Sequence, residues 1–315
     1  MAVALLTILL ALPAGAFDLQ GHRGTRGLAP ENSLTAFGTA LAIGVDTLEL
    51  DVQITRDGQV VIAHDPHLNP AFTRDAQGRW IDAPGPAIIA LTLAELQRFD
   101  IGRARPDSKY AQSWPQQQGR DGERLPTLAA LFDAVRARGA QRVRFNIEVK
   151  LNPLTPELTP PPEPYVRALL AVIDAHGMAA RVTIQSFDWR ALRLVQRLAP
   201  AIPTSALTAR QRWLDNPGDP RWTDGLELAA YGGSVPRLVQ AAGATIWSHY
   251  LGDLSEALVA EAHALGLKVL PWTVNDAATV ERLVSWKVDG LITDYPDRAR
   301  AVLARLGVAL PAPAP

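Results

Sequence analysis

The chain has 315 residues, 48% of them hydrophobic and 20% charged, with a formal net charge of −1 and no cysteine. This near-neutral balance excludes the electrostatic footprint of a nucleic-acid binder, so any anion site must be local. Absent cysteine excludes disulfides and thiolate chemistry, and the length fits one large domain or two ordinary ones.

Residues 1–16, MAVALLTILLALPAGA, are uncharged after the start and close on Ala14-Gly15-Ala16. They read as a secretory signal peptide cut before Phe17, too short to span a bilayer comfortably, although the usual basic n-region is missing. The expected location is periplasmic or secreted, without stable membrane insertion. Strands are expected at 18–22, 46–51, 143–149, 182–186, 203–207, 244–248, 268–273 and 290–293. Helical patterns fall between them at 33–43, 127–138, 165–176, 189–198, 254–265 and 277–286, the first with Asn32 or Ser33 as its N-cap. Eight such strands predict an α/β fold with a parallel sheet closed into a (β/α)₈ TIM barrel. A doubly wound open sheet lacks its GxGxxG after the first strand.

Residues 66–126 break the rhythm. They are rich in Pro, Gly, Arg and Asp, with one good helical stretch at 92–99, and read as a cap-like insertion over the catalytic end. The run 152–164 reads as a stiff surface loop and 309–315 as a disordered tail. One barrel domain over 17–308 is therefore expected.

Two stretches carry paired acids. In TLELDVQI, Glu49 and Asp51 are two apart and share one strand face, with Leu48, Leu50 and Val52 on the other. Asp57-Gly58 then signals a tight hairpin, which in its two-residue form sets His64 directly opposite Asp51. In FNIEVK, Asn146, Glu148 and Lys150 share a face. Two acids facing into a barrel mouth repel unless a cation lies between them. Three carboxylates, with no Cys and no HxxxH, suit one hard divalent cation, Ca²⁺ or Mg²⁺. His22, in the turn QGHRGTRGLAPEN, ends the first strand, where barrel enzymes keep catalytic groups. His22 and His64 then supply a general base and a general acid, while Arg23 and Lys150 hold a tetrahedral oxyanion, the arginine in bidentate fashion. Gly24 and Gly27 let the backbone turn close to that group. Together these parts specify phosphoryl transfer.

The chain resembles the glycerophosphodiester phosphodiesterases. The resemblance rests on HRG (22–24), PEN (30–32) with Ala36-Phe37, ELD (49–51), HD (64–65), EVK (148–150), QSF (185–187), WTVN (272–275) and TDYP (293–296), in order along the mature chain. One departure is PENS where the family usually shows PENT. The resemblance implies a (β/α)₈ barrel that hydrolyses small-molecule glycerophosphodiesters to sn-glycerol 3-phosphate and an alcohol. It also implies metal ligation by Glu49, Asp51 and Glu148, with His22 and His64 as the acid–base pair and Gln185 reaching the site. Trp272 is a candidate wall of the glycerol or alcohol pocket, with core packing as the competing reading. His67, His176, His249 and His263 take no role, and Arg103, Arg105 and Lys109 read as solvating the insertion. A phospholipase D-like or phosphoinositide-type lipase on the same scaffold is the rival enzyme. A non-catalytic phosphodiester-binding protein would have no use for both histidines and three acids.

Overall fold

The structure is a computed structural model that describes residues 17–314. The expected signal peptide lies outside the described residues. Eleven strands follow in chain order: β1 (Asp18–Gly21), β2 (Thr47–Ile54), β3 (Val60–Ile62), β4 (Arg144–Val149), β5 (Val182–Ser186), β6 (Thr204–Thr208), β7 (Arg210–Gln211), β8 (Leu214–Asp215), β9 (Ile246–His249), β10 (Lys268–Val269) and β11 (Gly290–Thr293). Eight of them run parallel in the order β10-β9-β6-β5-β4-β2-β1-β11. The ends of that path meet through backbone bonds, Asp289 N–H to the Val269 carbonyl (3.0 Å) and Ile292 N–H to the Pro271 carbonyl (3.0 Å). The result is the nearly closed barrel expected of a (β/α)₈ fold.

The helices form where caps and apolar stripes coincide. Leu34–Ile43 starts on Ser33, whose Oγ accepts the Ala36 N–H, and stops at Gly44 in the left-handed region (φ 90°). Leu128–Ala137, Trp189–Leu198, Glu256–Ala264 and Ala277–Ser285 start on Thr127, Asp188, Ser255 and Asp276 in the same way. Their apolar faces meet the outward residues of the barrel, so Leu48, Leu50, Val52, Phe145 and Ile147 lie in one core with Phe132, Leu169 and Trp189. β2 is buried along its whole length, because its other face fills the barrel.

Several expectations are corrected. The hairpin after β2 is one residue longer than a two-residue turn: Gly58 takes the left-handed conformation (φ 78°) and Thr55 pairs with Gln59. Val52 therefore faces Ile62, and Ala63 donates its N–H to the Asp51 carbonyl, so His64 lies beyond that pairing and not opposite Asp51. The expected surface loop 152–164 ends in helix, since Pro162–Ala175 places its prolines in the first turn, where a missing N–H costs nothing. The tail is docked: Ala314 donates its N–H to the Leu41 carbonyl (2.9 Å), and Val308 and Leu310 pack on the core. Helices Val235–Ala241 and Pro296–Arg305 complete the outer layer beyond those expected.

Residues 66–126 are not structureless. Leu68, Ile88, Leu96, Ile101 and Leu125 form a second small core on Val61 of β3 and Ala63. Arg74 ties the segment together through Asp100 (2.6 Å) and Asp121 (2.5 Å). Among the described residues no helix is long and apolar enough to cross a membrane.

His249, at the end of β9, is buried against the Trp247 ring (centroids 4.6 Å apart). Its Nδ1 lies 2.7 Å from the Thr208 hydroxyl and 3.1 Å from the Thr208 carbonyl, so the neutral ring is satisfied in place. Burial holds its pKa down at about 4 against an ordinary 6.5. Between those values the unfolded chain binds a proton that the folded chain refuses, so stability falls as pH drops through this window and is unaffected above it. The wild type should lose about 3 kcal/mol relative to His249→Phe between pH 7 and pH 4. Urea midpoints of the two proteins across that range measure it, and parallel curves would contradict it.

Candidate active site

The turn after β1 begins the site. Its path needs Arg23 (φ 47°), Gly24 (φ 80°) and Asn32 (φ 55°) in left-handed conformations. At Gly24 a Cβ would stand 2.7 Å from the Ala36 backbone, so a side chain there is excluded. The turn is stitched to β2: Arg23 N–H donates to Glu49 Oε2 (2.8 Å) and Asn32 Nδ2 to Asp51 Oδ2 (2.9 Å).

Parallel register sets the acids side by side. Asp51 pairs with Glu148, Glu49 with Asn146, and Glu148 with Gln185. Glu49, Asp51 and Glu148 each offer an oxygen within 4.8 Å of the others, all three residues being buried. Below them, Asn146 Nδ2 donates to Gln20 Oε1 and Gln185 Oε1 (2.9 Å each), and Gln185 Nε2 donates to Glu49 Oε1 (2.8 Å). This amide layer fixes the Glu49 rotamer. Burial, with Asp51 beside it, pushes the Glu49 carboxyl well above its ordinary range. Burial pushes Glu148 up to about 7, with Lys150 opposing. Asp51 stays below its ordinary value because the neighbouring His64, Lys150 and Arg23 outweigh its burial. Its Oδ1 is buried without a hydrogen-bond donor. Raised carboxyls beside an unsatisfied carboxylate oxygen mark a surplus of buried negative charge. An oxygen-only donor set of this kind fits a hard cation.

Both candidate histidines converge on this cluster, each held through Nδ1 by a carboxylate. His22 Nδ1 lies 2.7 Å from Asp294 Oδ1, at the end of β11, and its Nε2 lies 3.9 Å from Glu49. His64 Nδ1 lies 2.7 Å from Asp65 Oδ1. In both the second ring nitrogen is the one left for chemistry. Burial holds His22 at about 4, against the pull of Asp294. Partial burial and the Arg23 and Lys150 cations hold His64 below its ordinary value.

The two cations are less free than expected. Arg23 Nη1 donates to Glu31 Oε1 (2.7 Å), and its Nε, 3.4 Å from Asp51, has no hydrogen-bond partner. Lys150 Nζ donates to Glu148 Oε1 (2.7 Å) and lies 3.5 Å from Asp51 Oδ1. With Nη1 on Glu31 and Nε buried beside Asp51, the Arg23 guanidinium is clamped between two acids and does not offer the free bidentate fork expected of it. Trp272 lines the same cavity, its Nε1–H donating to the Ser248 carbonyl (3.2 Å). The cavity, about 530 Å³, is lined by both histidines, Arg23, Glu49, Glu148, Lys150 and Gln185.

Sequence reasoning left several supporting residues without a role. Asp294 accepts from Arg26 Nε (2.8 Å) and Asn275 Nδ2 (2.7 Å) as well as facing His22. The insertion reaches the turn: Tyr110 donates to Glu31 Oε2 (2.7 Å), Gln117 to the Arg26 carbonyl (2.7 Å), and Trp114 lies under the Arg26 guanidinium (4.3 Å). Glu31, Asn275 and Asp294 sit inside the PEN, WTVN and TDYP runs, which is the signal that marks them.

Known proteins resemble this chain over nearly its whole length. A crystal structure of a glycerophosphoryl diester phosphodiesterase from Silicibacter pomeroyi DSS-3 superposes with a TM-score of 0.84 at 36% identity, covering 95% of this chain and 96% of that one. The glycerophosphodiester phosphodiesterase of Caldanaerobacter subterraneus subsp. tengcongensis is 31% identical over 276 residues, 88% of this chain and 93% of its own length. A phosphodiesterase of Oleispira antarctica, solved in complex with the product sn-glycerol-3-phosphate, shares the fold at 23% identity (TM-score 0.67, 92% and 97% coverage). The family model for glycerophosphoryl diester phosphodiesterases matches residues 22–298, from the histidine that opens the first turn to the last helix, and the chain belongs to that family.

Proposed function

We propose that this glycerophosphodiester phosphodiesterase hydrolyses its substrate to sn-glycerol 3-phosphate and the headgroup alcohol, with one divalent cation, Ca²⁺ or Mg²⁺, held by Glu49, Asp51 and Glu148. The observation that carries the reading is the meeting of two carboxylate-held histidines with Glu49 and Glu148 in one cavity, with Asp51 buried beside them. When bound, such an ion neutralises phosphate charge that grows toward the transition state. Every other task falls to the chain. The Arg23 guanidinium and the Lys150 ammonium bind the non-bridging phosphate oxygens. Gln185 orients Glu49, and Trp272 walls the organic part of the substrate.

His22 and His64 work through Nε2, one withdrawing the proton of the attacking oxygen and the other protonating the departing alkoxide. The attacker is water or the substrate's own 2-hydroxyl, and both routes end in the same products. Export is part of the proposal and rests on residues 1–16, with Phe17 as the expected N terminus of the secreted chain. Purified enzyme should release choline and sn-glycerol 3-phosphate from glycerophosphocholine when given Ca²⁺ or Mg²⁺, and should fall silent with chelator. Full turnover by chelator-stripped enzyme would remove the metal from the reading, and no phosphodiester cleavage under any condition would remove the reading itself.

A further inference from the structure

Residues 110–118 of the insertion are bound along the turn that carries His22 and Arg23. Gln118 donates its backbone N–H to the Leu28 carbonyl (2.8 Å), and Gln117 Nε2 donates to the Arg26 carbonyl (2.7 Å). The third contact is at Glu31, which is buried. Its Oε1 accepts from Arg23 Nη1 and its Oε2 from the Tyr110 hydroxyl, at 2.7 Å each. Gln117 Nε2 also donates to the Tyr110 oxygen (3.2 Å), which leaves the phenolic proton to point at Glu31. The Tyr110 ring is fixed against Phe72 and Trp114, with centroids 4.9 and 6.4 Å away, on a short helix, Lys109–Ser113, that Ser108 caps.

Arg23 stands between two acids, with Glu31 on Nη1 and Asp51 3.4 Å from Nε. A guanidinium clamped in this way has little charge to spare for a phosphate. A buried carboxylate oxygen needs a donor. Without Tyr110, Glu31 Oε2 would be satisfied best by a second guanidinium nitrogen, in the bidentate geometry that arginine and carboxylate favour. Arg23 would then fold fully onto its acids. The Tyr110 hydroxyl fills Oε2 instead and draws off part of the Glu31 charge. We propose that Tyr110 is a positioning residue for the reaction: by occupying Glu31 Oε2 it leaves part of the Arg23 guanidinium to the phosphate. The insertion thus acts on turnover through one hydroxyl, 79 positions from the residue it holds. The proposal rests on the phosphodiesterase reading, in which Arg23 binds the phosphate.

Tyr110→Phe tests it, because phenylalanine keeps both ring contacts and removes only the hydroxyl. For glycerophosphocholine kcat/KM should fall about ten- to hundredfold, the worth of one hydrogen bond to a charged group. The inhibition constant of sn-glycerol 3-phosphate should rise in parallel, since the product carries the same phosphate. Made in an Arg23→Ala background, the substitution should cost nothing further. In Glu31→Gln it should also cost little, because a neutral amide does not compete for the guanidinium. A Tyr110 that merely braced the insertion would lose the same factor in all three backgrounds, and that result overturns the proposal. Wild-type kcat/KM in Tyr110→Phe overturns it too, as does a loss with an unchanged inhibition constant. Should Tyr110→Phe alone fail to fold, Tyr110→Phe/Glu31→Gln, which buries no orphaned charge, is compared with Glu31→Gln: equal rates support the proposal and a further loss overturns it. Absence of phosphodiester cleavage in the wild type overturns the underlying reading instead.

Discussion

Glu148→Gln should lose several orders of magnitude in turnover of glycerophosphocholine and lose its thermal response to divalent cations, without a loss of metal-free stability. Glutamine keeps the shape of the side chain and removes its charge, so the comparison isolates one charged oxygen donor. In the wild type, burial with Asp51 alongside pushes Glu148 up to about 7. Its folded-state value lies above the unfolded one, so the metal-free protein loses stability as pH rises from about 4.5 toward 7, and the variant should not. Lys150 keeps Asp51 at 3.5 Å as a partner after the substitution. A bound ion reverses the wild-type penalty. At a hundredfold excess over Kd it stabilises by about 2.7 kcal/mol, or several degrees in Tm for a domain of this size. Melting curves of both proteins with chelator and with millimolar Ca²⁺ or Mg²⁺ measure all of this. An equal upward shift in the variant would mean that the ion, if bound, sits elsewhere.

Much of this site was legible because strand parity is simple. Glu49 and Asp51 share a face with Gln53, and Glu148 shares one with Asn146, whatever the barrel does around them. What was not legible depended on how separate pieces meet. The Asp57-Gly58 hairpin fits two loop lengths, and only the left-handed Gly58 with the Thr55–Gln59 pair decides between them. A single added residue moved His64 past the end of the ladder. His64 still reaches the cavity, because a side chain beyond the last pair is free to turn inward. Asp294 is 272 positions from His22 and meets it only because β11 pairs with β1 to close the barrel. The insertion hid Tyr110, Gln117 and Trp114 for another reason. Its small core and its Arg74 ion pairs have no periodicity for a pattern to reveal. The docked tail was misjudged from its prolines, which prevent helix but not packing.

Asp294→Asn should lower kcat by about three to four orders of magnitude, leaving KM and the thermal response to divalent cations close to wild type. Four donors face this carboxylate: His22 Nδ1 and Arg26 Nε on Oδ1, Arg26 Nη2 and Asn275 Nδ2 on Oδ2. An amide can satisfy only one of those pairs. With its nitrogen toward His22, the imidazole must move its proton to Nε2, so the nitrogen facing the cavity is no longer a base. With its nitrogen toward Arg26 and Asn275, two half-buried donors lose their acceptor at a cost of about 1 kcal/mol, and the clasp on His22 loosens. Asp294 also supports the His22 cation, so its neutralisation should move to lower pH whichever limb of the kcat/KM profile His22 controls. A structural lesion alone would lower Tm and KM-dependent binding together and leave that limb in place. The double variant His22→Ala/Asp294→Asn separates the two cases. If Asp294 acts only by holding His22, the double variant should be no slower than His22→Ala, because the group being positioned is already gone. Multiplicative losses, or near wild-type turnover in Asp294→Asn alone, would show that the 2.7 Å contact is not what readies His22.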